Sequence, residues 1–166
     1  NVCNNAKAPE GKPSLMTWDE VTTLFHEFGH ALHNLFRDVH YYGVSSVPRD
    51  FVELPSQVNE HWVFEPEMLK EYAKHYETGE IIPAELVDRL TQSGKYGQGF
   101  ATAEYLAASL LDMDFHTMKE IPADFNVMDF EQKTLAERGL PSQIPSRYRT
   151  TYFNHTMGGG YTAGYY

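Results

Sequence analysis

The chain has 166 residues, 42% of them hydrophobic, and a formal net charge of -10 at pH 7. That is enough apolar material for a packed core, while the acidic balance repels phosphate backbones, so no nucleic acid is expected as a partner. No apolar run reaches membrane-spanning length, so no membrane is expected either; the single cysteine, Cys3, forms no internal disulfide and supplies no Cys-rich zinc motif.

A lone cysteine fits a reducing, cytoplasmic setting, with the periplasm as the other compartment open to it. The sequence begins at Asn1 without a methionine and closes on "GGGYTAGYY". We therefore expect residues 1–166 to be a single fragment of a larger protein.

Residues 1–16 are rich in Pro, Gly, Lys and Asn and read as loop. Thr17 and Glu20 have capping-box spacing, and Met16 and Val21 stand at the positions of a hydrophobic staple. Val21, Leu24, Phe25, Phe28, Ala31, Leu32, Leu35 and Phe36 then recur at helical spacing, which predicts a helix from Trp18 to Arg37. "VHYYGVSSV" (39–47) reads as a short strand or an irregular segment. "PRDFVELPSQVNEHWVF" (48–64) is a second helix with two possible starts. Asp50 and Glu53 have capping-box spacing, but Pro55 inside a helix loses a backbone bond and costs about 3 kcal/mol. A start at Leu54 with Pro55 in the first turn avoids that cost.

"PEMLKEYAKHY" (66–76) and "PAELVDRLTQS" (83–93) are the third and fourth helices, the latter stopped by Gly94. "FATAEYLAASLLDMDFHT" (100–117) is the fifth, nearly apolar over residues 100–111 and so expected to be buried. "DFNVMDFEQKTLAERG" (124–139) holds the sixth, ended by Gly139. After Pro141 regular pattern disappears, and residues 140–166 read largely as loop. The class is all-α: mainly helical, with at most one short strand or irregular segment near 39–47.

The first helix carries "FHEFGHALH" (25–33). His26 and His30 lie one turn apart on one side, so both imidazoles can reach one ion. Glu27 sits about 100 degrees round from His26, still near that side, where it can hydrogen-bond a water held by the ion. Phe25, Phe28 and Leu32 are expected to put the opposite side into a core and so hold the ligands still. His-Glu-x-x-His is a moderately specific zinc signal; the plainer reading is a surface pair of histidines beside a stray glutamate.

Catalytic zinc needs a third protein ligand and an open fourth position. His33 is excluded by rise, since 26 to 33 spans about 10 Å of helix. The extended motif with Gly and His at the next positions fails, because this chain has His33 and Phe36 there. His40 stays open. Glu53 and Glu60, one heptad apart, are better placed, and spacing does not separate them. Their plainer readings are a helix cap for Glu53 and a solvated charge for Glu60.

The tail "RYRTTYFNHTMGGGYTAGYY" is the second cluster. Three glycines between His155 and Tyr161 let the backbone approach another molecule closely. Imidazole and phenol both donate hydrogen bonds and suit the oxyanion that develops in hydrolysis. Arg147 and Arg149 suit a substrate carboxylate. Taken singly, Tyr152, Phe153, Tyr165 and Tyr166 read as packing, and the arginines as surface charge.

"FHEFGHALH", "RDFVELPSQVNEHW" and "RYRTTYFNHTMGGGYTAGYY", in that order, together resemble the M3 family of zinc oligopeptidases. They are most like its bacterial peptidyl-dipeptidase (dipeptidyl carboxypeptidase) branch, and the resemblance runs through all 166 residues. It implies a zincin-like catalytic fragment that binds Zn2+ and hydrolyses short peptides. Carried over residue by residue, it implies His26, His30 and Glu53 as metal ligands and Glu27 as general base. It implies His155 and Tyr161 as contacts to substrate and oxyanion, and Tyr165 as a tyrosine of the substrate-facing loop.

Two departures stand out. The stretch from His30 to Glu53 is about two residues shorter than the family pattern. The family also has an active-site tyrosine seven residues past the Tyr161 position, beyond Tyr166. Its channel lies between two helical domains, so the remaining domain of the parent chain is an expected partner, and the isolated fragment is expected to be a poor or inactive enzyme. The peptidyl-dipeptidase branch implies release of C-terminal dipeptides. The alternatives are an oligopeptidase that cuts internally and a non-catalytic helical peptide-binding fragment.

Overall fold

A computed structural model describes residues 1–165; Tyr166 lies outside the described residues. The chain divides into two compact units, Asn1–Ser93 and Gly94–Tyr166.

In the first unit, α1 (Trp18–Leu35) opens where the capping spacing predicts. Glu20 N–H donates to Thr17 Oγ1 at 3.2 Å, and the Glu20 carboxylate accepts from Thr17 N–H at 2.7 Å and Ala6 N–H at 3.0 Å. The helix closes two residues before Arg37, with Phe36 N–H still donating to Leu32 O. Residues 39–47 form no strand; Tyr42–Val44 is a single 3-10 turn. α2 (Leu54–Glu60) takes the later of the two possible starts, with Pro55 in its first turn and no side-chain cap. Proline there removes an N–H that has no helical partner anyway.

A 3-10 turn (His61–Phe64) leads into α3 (Pro66–Tyr72), shorter than its apolar pattern, because Ala73 O and His75 N–H bond to Ile82 N–H and Glu80 O instead. α4 (Ala84–Ser93) ends the unit.

α1 lies hard against α2. Gly29 is the one fully buried residue of α1, and a Cβ there would sit 2.6 Å from Ser56 Cα and 2.7 Å from Pro55 O. Only glycine lets the two backbones approach so closely. Asn59 Nδ2 donates to Phe25 O at 2.7 Å, and ring pairs Trp18–Phe64 and Phe25–Tyr72 carry the contact onward. Val63 and Leu69 form the buried apolar floor. Phe28, expected in the core, is 48% exposed. The glycine face, rather than the Phe28 face, is the one α2 covers.

The second unit is built on α5 (Gln98–His116) and α6 (Val127–Glu137). Asn126 caps α6 by accepting from Met128 and Asp129 N–H groups. Ala107, Leu111 and Leu135 form the core, with Phe115, Phe130 and Leu140 packed on it. Burying a side chain such as Leu111 is worth about 1.5–3 kcal/mol. The expectation of a wholly buried α5 is corrected: Phe100 and Leu106 are exposed, at 56% and 54%. One stripe of α5 packs against its neighbours, and the rest of its apolar surface is open.

The tail has more order than its sequence pattern predicts. It contains a 3-10 turn (Thr150–Tyr152) and the one-turn α7 (Asn154–Met157). Buried Glu131 of α6 anchors it by accepting from Thr150 N–H and Oγ1, each at 2.8 Å. A hydrogen bond to a charged group is worth about 1.5–3 kcal/mol.

Among the described residues no helix is long and apolar enough to cross a membrane.

Candidate metal centre and glycine-rich loop

The close α1–α2 crossing sets three donors side by side. Glu53 ends the segment before α2, and its Oε2 lies 3.2 Å from His26 Nε2 and 3.1 Å from His30 Nε2. One ligand atom from each of the three residues lies within 4.8 Å of the others. Ligand atoms held about 2.0–2.2 Å from a tetrahedral zinc ion stand roughly 3.4 Å apart, so this set fits. Two imidazoles and a carboxylate are also the donor types such an ion prefers in catalytic sites. All three side chains are about a quarter exposed, so the cluster is open on one side.

Local chemistry holds the cluster in shape. Ser56, fully buried, donates through Oγ to Glu53 O at 2.8 Å or to Glu53 Oε2 at 3.0 Å, which fixes the carboxylate. The His26 and His30 rings stand nearly perpendicular, 5.0 Å apart. On the other edge of His26, Nδ1 lies 2.6 Å from Glu60 Oε1. A proton on Nδ1 shared with Glu60 leaves the Nε2 lone pair facing His30 and Glu53.

Glu53 and Glu60 thus take opposite edges of one imidazole, which separates the two residues that heptad spacing left tied. Glu27 is half-buried on α1 next to His26. His33 stacks edge-on against Phe51, and His40 against Tyr41. Neither belongs to the cluster found among the described residues.

The second unit carries the remaining candidates. His155 stands in α7, with its ring 4.8 Å from Tyr148 and 5.8 Å from Tyr165. The chain folds back sharply after it: Tyr161 N–H donates to His155 O at 3.1 Å. A Cβ on Gly159 would lie 2.7 Å from His155 O, so the fold-back needs glycine there. Thr162 Oγ1 adds a bond to Thr156 O at 2.8 Å.

Tyr165 packs among Tyr105, Tyr148 and Phe153. Burial, then its hydrogen bond with Tyr148, raises its phenol well above the usual range.

The two arginines differ. Arg149 Nε stands 2.5 Å from the buried Glu131 Oε1 as an ion pair without hydrogen-bond alignment. Arg147 lies over the Tyr105 and Tyr148 rings, at 5.3 and 5.8 Å, and 3.7 Å from Glu104 Oε2.

Three supporting carboxylates escaped the sequence reading: Glu60 at His26 Nδ1, Glu131 at Thr150, and Asp112, which accepts from the Ala163 and Tyr165 N–H groups. The available signal for Asp112 was an acid inside a largely apolar helix.

The model of peptidase family M3 matches residues 1–166. The dipeptidyl carboxypeptidase of Salmonella typhimurium is 48% identical over 169 residues, covering 100% of this chain and 25% of the relative. Oligopeptidase A of Escherichia coli is 42% identical over 172 residues, covering 99% of this chain and 25% of the relative. Saccharolysin of Saccharomyces cerevisiae is 35% identical over 171 residues, covering 99% and 24%. The chain spans about a quarter of the length of the curated relatives it matches.

Proposed function

The chain belongs to peptidase family M3, and from that premise we propose that it is the metal-binding part of a larger helical catalytic domain that hydrolyses short peptides with zinc. The observation that carries the reading is the His26–His30–Glu53 cluster with Glu27 beside it on α1. A structural metal site has no use for an adjacent carboxylate base; a hydrolytic one does. That argues against a non-catalytic peptide-binding role.

His26, His30 and Glu53 would hold the ion, and Glu60 would keep His26 in the tautomer that ligation needs. When bound, zinc supplies a Lewis acid and makes water nucleophilic near neutral pH. Glu27 takes the proton of the attacking water and passes it to the leaving amine. Tyr161 and His155 donate hydrogen bonds to the oxyanion as the carbonyl becomes tetrahedral. Tyr165 keeps its proton and serves as a neutral, substrate-facing hydroxyl.

Release of C-terminal dipeptides is the preferred outcome, supported by the dipeptidyl carboxypeptidase relative at 48% identity. It requires a cation for the free substrate carboxylate. Arg147 suits that role better than Arg149, because Glu131 already engages Arg149, whereas Glu104 stands 3.7 Å from Arg147. Internal cleavage of short peptides is the second reading, and the oligopeptidase A relative at 42% identity leaves it open.

Glu27→Gln in the full protein tests the mechanism. Zinc content stays at the wild-type level while peptide hydrolysis falls on the order of a hundredfold or more. Full activity in that variant excludes Glu27 as the base. Product analysis on peptides with free and amidated C-termini separates dipeptide release from internal cleavage.

A further inference from the structure

Asp112 sits in the second half of α5 with no exposed surface. A carboxylate removed from water needs donors around it. One neighbour comes from its own helix: His116, one turn on, brings Nδ1 to 2.8 Å from Oδ1 and hydrogen-bonds the Asp112 main-chain carbonyl at 2.8 Å. The other two are main-chain N–H groups of the glycine-rich tail. Ala163 donates to Oδ1 at 3.1 Å, and Tyr165 donates to Oδ2 at 3.2 Å.

The tail at this point is an unlikely place for such order. Ala163 and Gly164 are exposed. Ala163 also holds a φ of 55°, in the left-handed region that a residue with a Cβ rarely takes. A conformation of that kind persists only when its surroundings dictate it. Here the buried carboxylate dictates it, by receiving N–H groups on both sides of Gly164. Tyr161 lies just before this turn, and Gly164 N–H donates back to Tyr161 O at 3.0 Å. The direction of Tyr161 is thus tied to the turn, and the turn to Asp112.

We propose that Asp112 is a positioning residue for the reaction: it fixes the turn after the glycine run and so presents the Tyr161 hydroxyl. The inference rests on the reading of Tyr161 as an oxyanion donor. His116 supports Asp112 from its own helix, and no group of the tail other than the two N–H donors is asked to change state.

The test uses the full protein in four forms: wild type, Asp112→Asn, Tyr161→Phe and the double variant. Hydrogen exchange, zinc content, kcat and KM are measured on each. In wild type the Ala163 and Tyr165 amides are protected on the order of tenfold or more over an unstructured peptide. Asp112→Asn keeps one acceptor oxygen and turns the other into a donor, so it loses the protection of at least one of the two amides, and kcat falls on the order of a hundredfold, as misplacing a reacting group does. Its KM and zinc content stay near wild type.

The double variant is little worse than Tyr161→Phe alone, because both changes remove the same contribution. Unprotected amides in wild type overturn the proposal, and they do so even where Asp112→Asn fails to fold. It is equally overturned by wild-type kcat in Asp112→Asn, or by losses that multiply in the double variant. Full activity in Tyr161→Phe instead sinks the reading of Tyr161. That failure is told apart from failure of the anchor, which shows in the amide protection.

Discussion

At the scale of single residues, the histidine pair was readable because helix geometry alone places both imidazoles on one side of α1. The division of labour between Glu53 and Glu60 was not. A heptad puts both carboxylates on the same side of α2, and only the crossing decides which imidazole edge each meets. That crossing depends on Gly29, whose missing Cβ is what admits Ser56 and Pro55. A glycine inside a helix gives no hint of its partner in sequence. The contact of Glu60 with His26 Nδ1 at 2.6 Å leads to a direct prediction. Glu60→Ala weakens zinc binding by roughly 10–100-fold, the usual effect of losing the partner that orients a ligating histidine. Glu60→Gln keeps an acceptor for the Nδ1 proton and loses less. Competition against a chromogenic chelator measures both; equal affinity in all three proteins rules out an orienting role for Glu60.

At the scale of elements, local chemistry fixes starts better than ends. Thr17 and Glu20 mark the opening of α1 because a capping box is wholly local, and Pro55 marks α2 because it lacks an N–H. The order in the tail stayed hidden because Glu131, which receives Thr150, comes from a separate helix 19 residues away in sequence. The α1 cap is also the element with a pH signature. The Thr17 N–H, then the Ala6 N–H, holds the Glu20 carboxyl below the usual carboxylate range. A carboxyl depressed in the folded state stabilises the fold fully above its unfolded value, near about pH 4.3. That contribution fades as pH falls from there through the folded value. The melting temperature of Glu20→Gln therefore lies below wild type at neutral pH, and the gap closes on acidification. Thermal melts of both proteins across that range check it; a gap that is constant or widens in acid contradicts the assignment.

At the scale of the whole molecule, each unit carries chemistry that its own packing holds. The ligand cluster depends on the α1–α2 crossing within the first unit, and the glycine-rich loop on Asp112 and Glu131 within the second. Both units nevertheless leave large apolar side chains in the open. Trp62, Phe64 and Phe28 are 53%, 42% and 48% exposed, and Phe100 is 56% exposed. In the first unit a cavity of about 830 Å³ runs between Trp18, Phe25, Tyr72 and Leu86. The chain also spans about a quarter of its relatives' length. On the proposed function, metal binding needs only contacts inside the first unit, whereas peptide hydrolysis also needs the enclosing channel that the family resemblance implies. The two properties should therefore separate. The 166-residue chain should bind zinc with an affinity within roughly tenfold of the full protein, while its kcat/KM falls on the order of a hundredfold or more. It should also bind a hydrophobic dye that the full protein does not. Chelator competition, peptide cleavage and dye fluorescence on the two proteins side by side measure these. Wild-type cleavage by the short chain means that the channel wall is dispensable; loss of zinc binding means that the α1–α2 crossing depends on residues outside the chain.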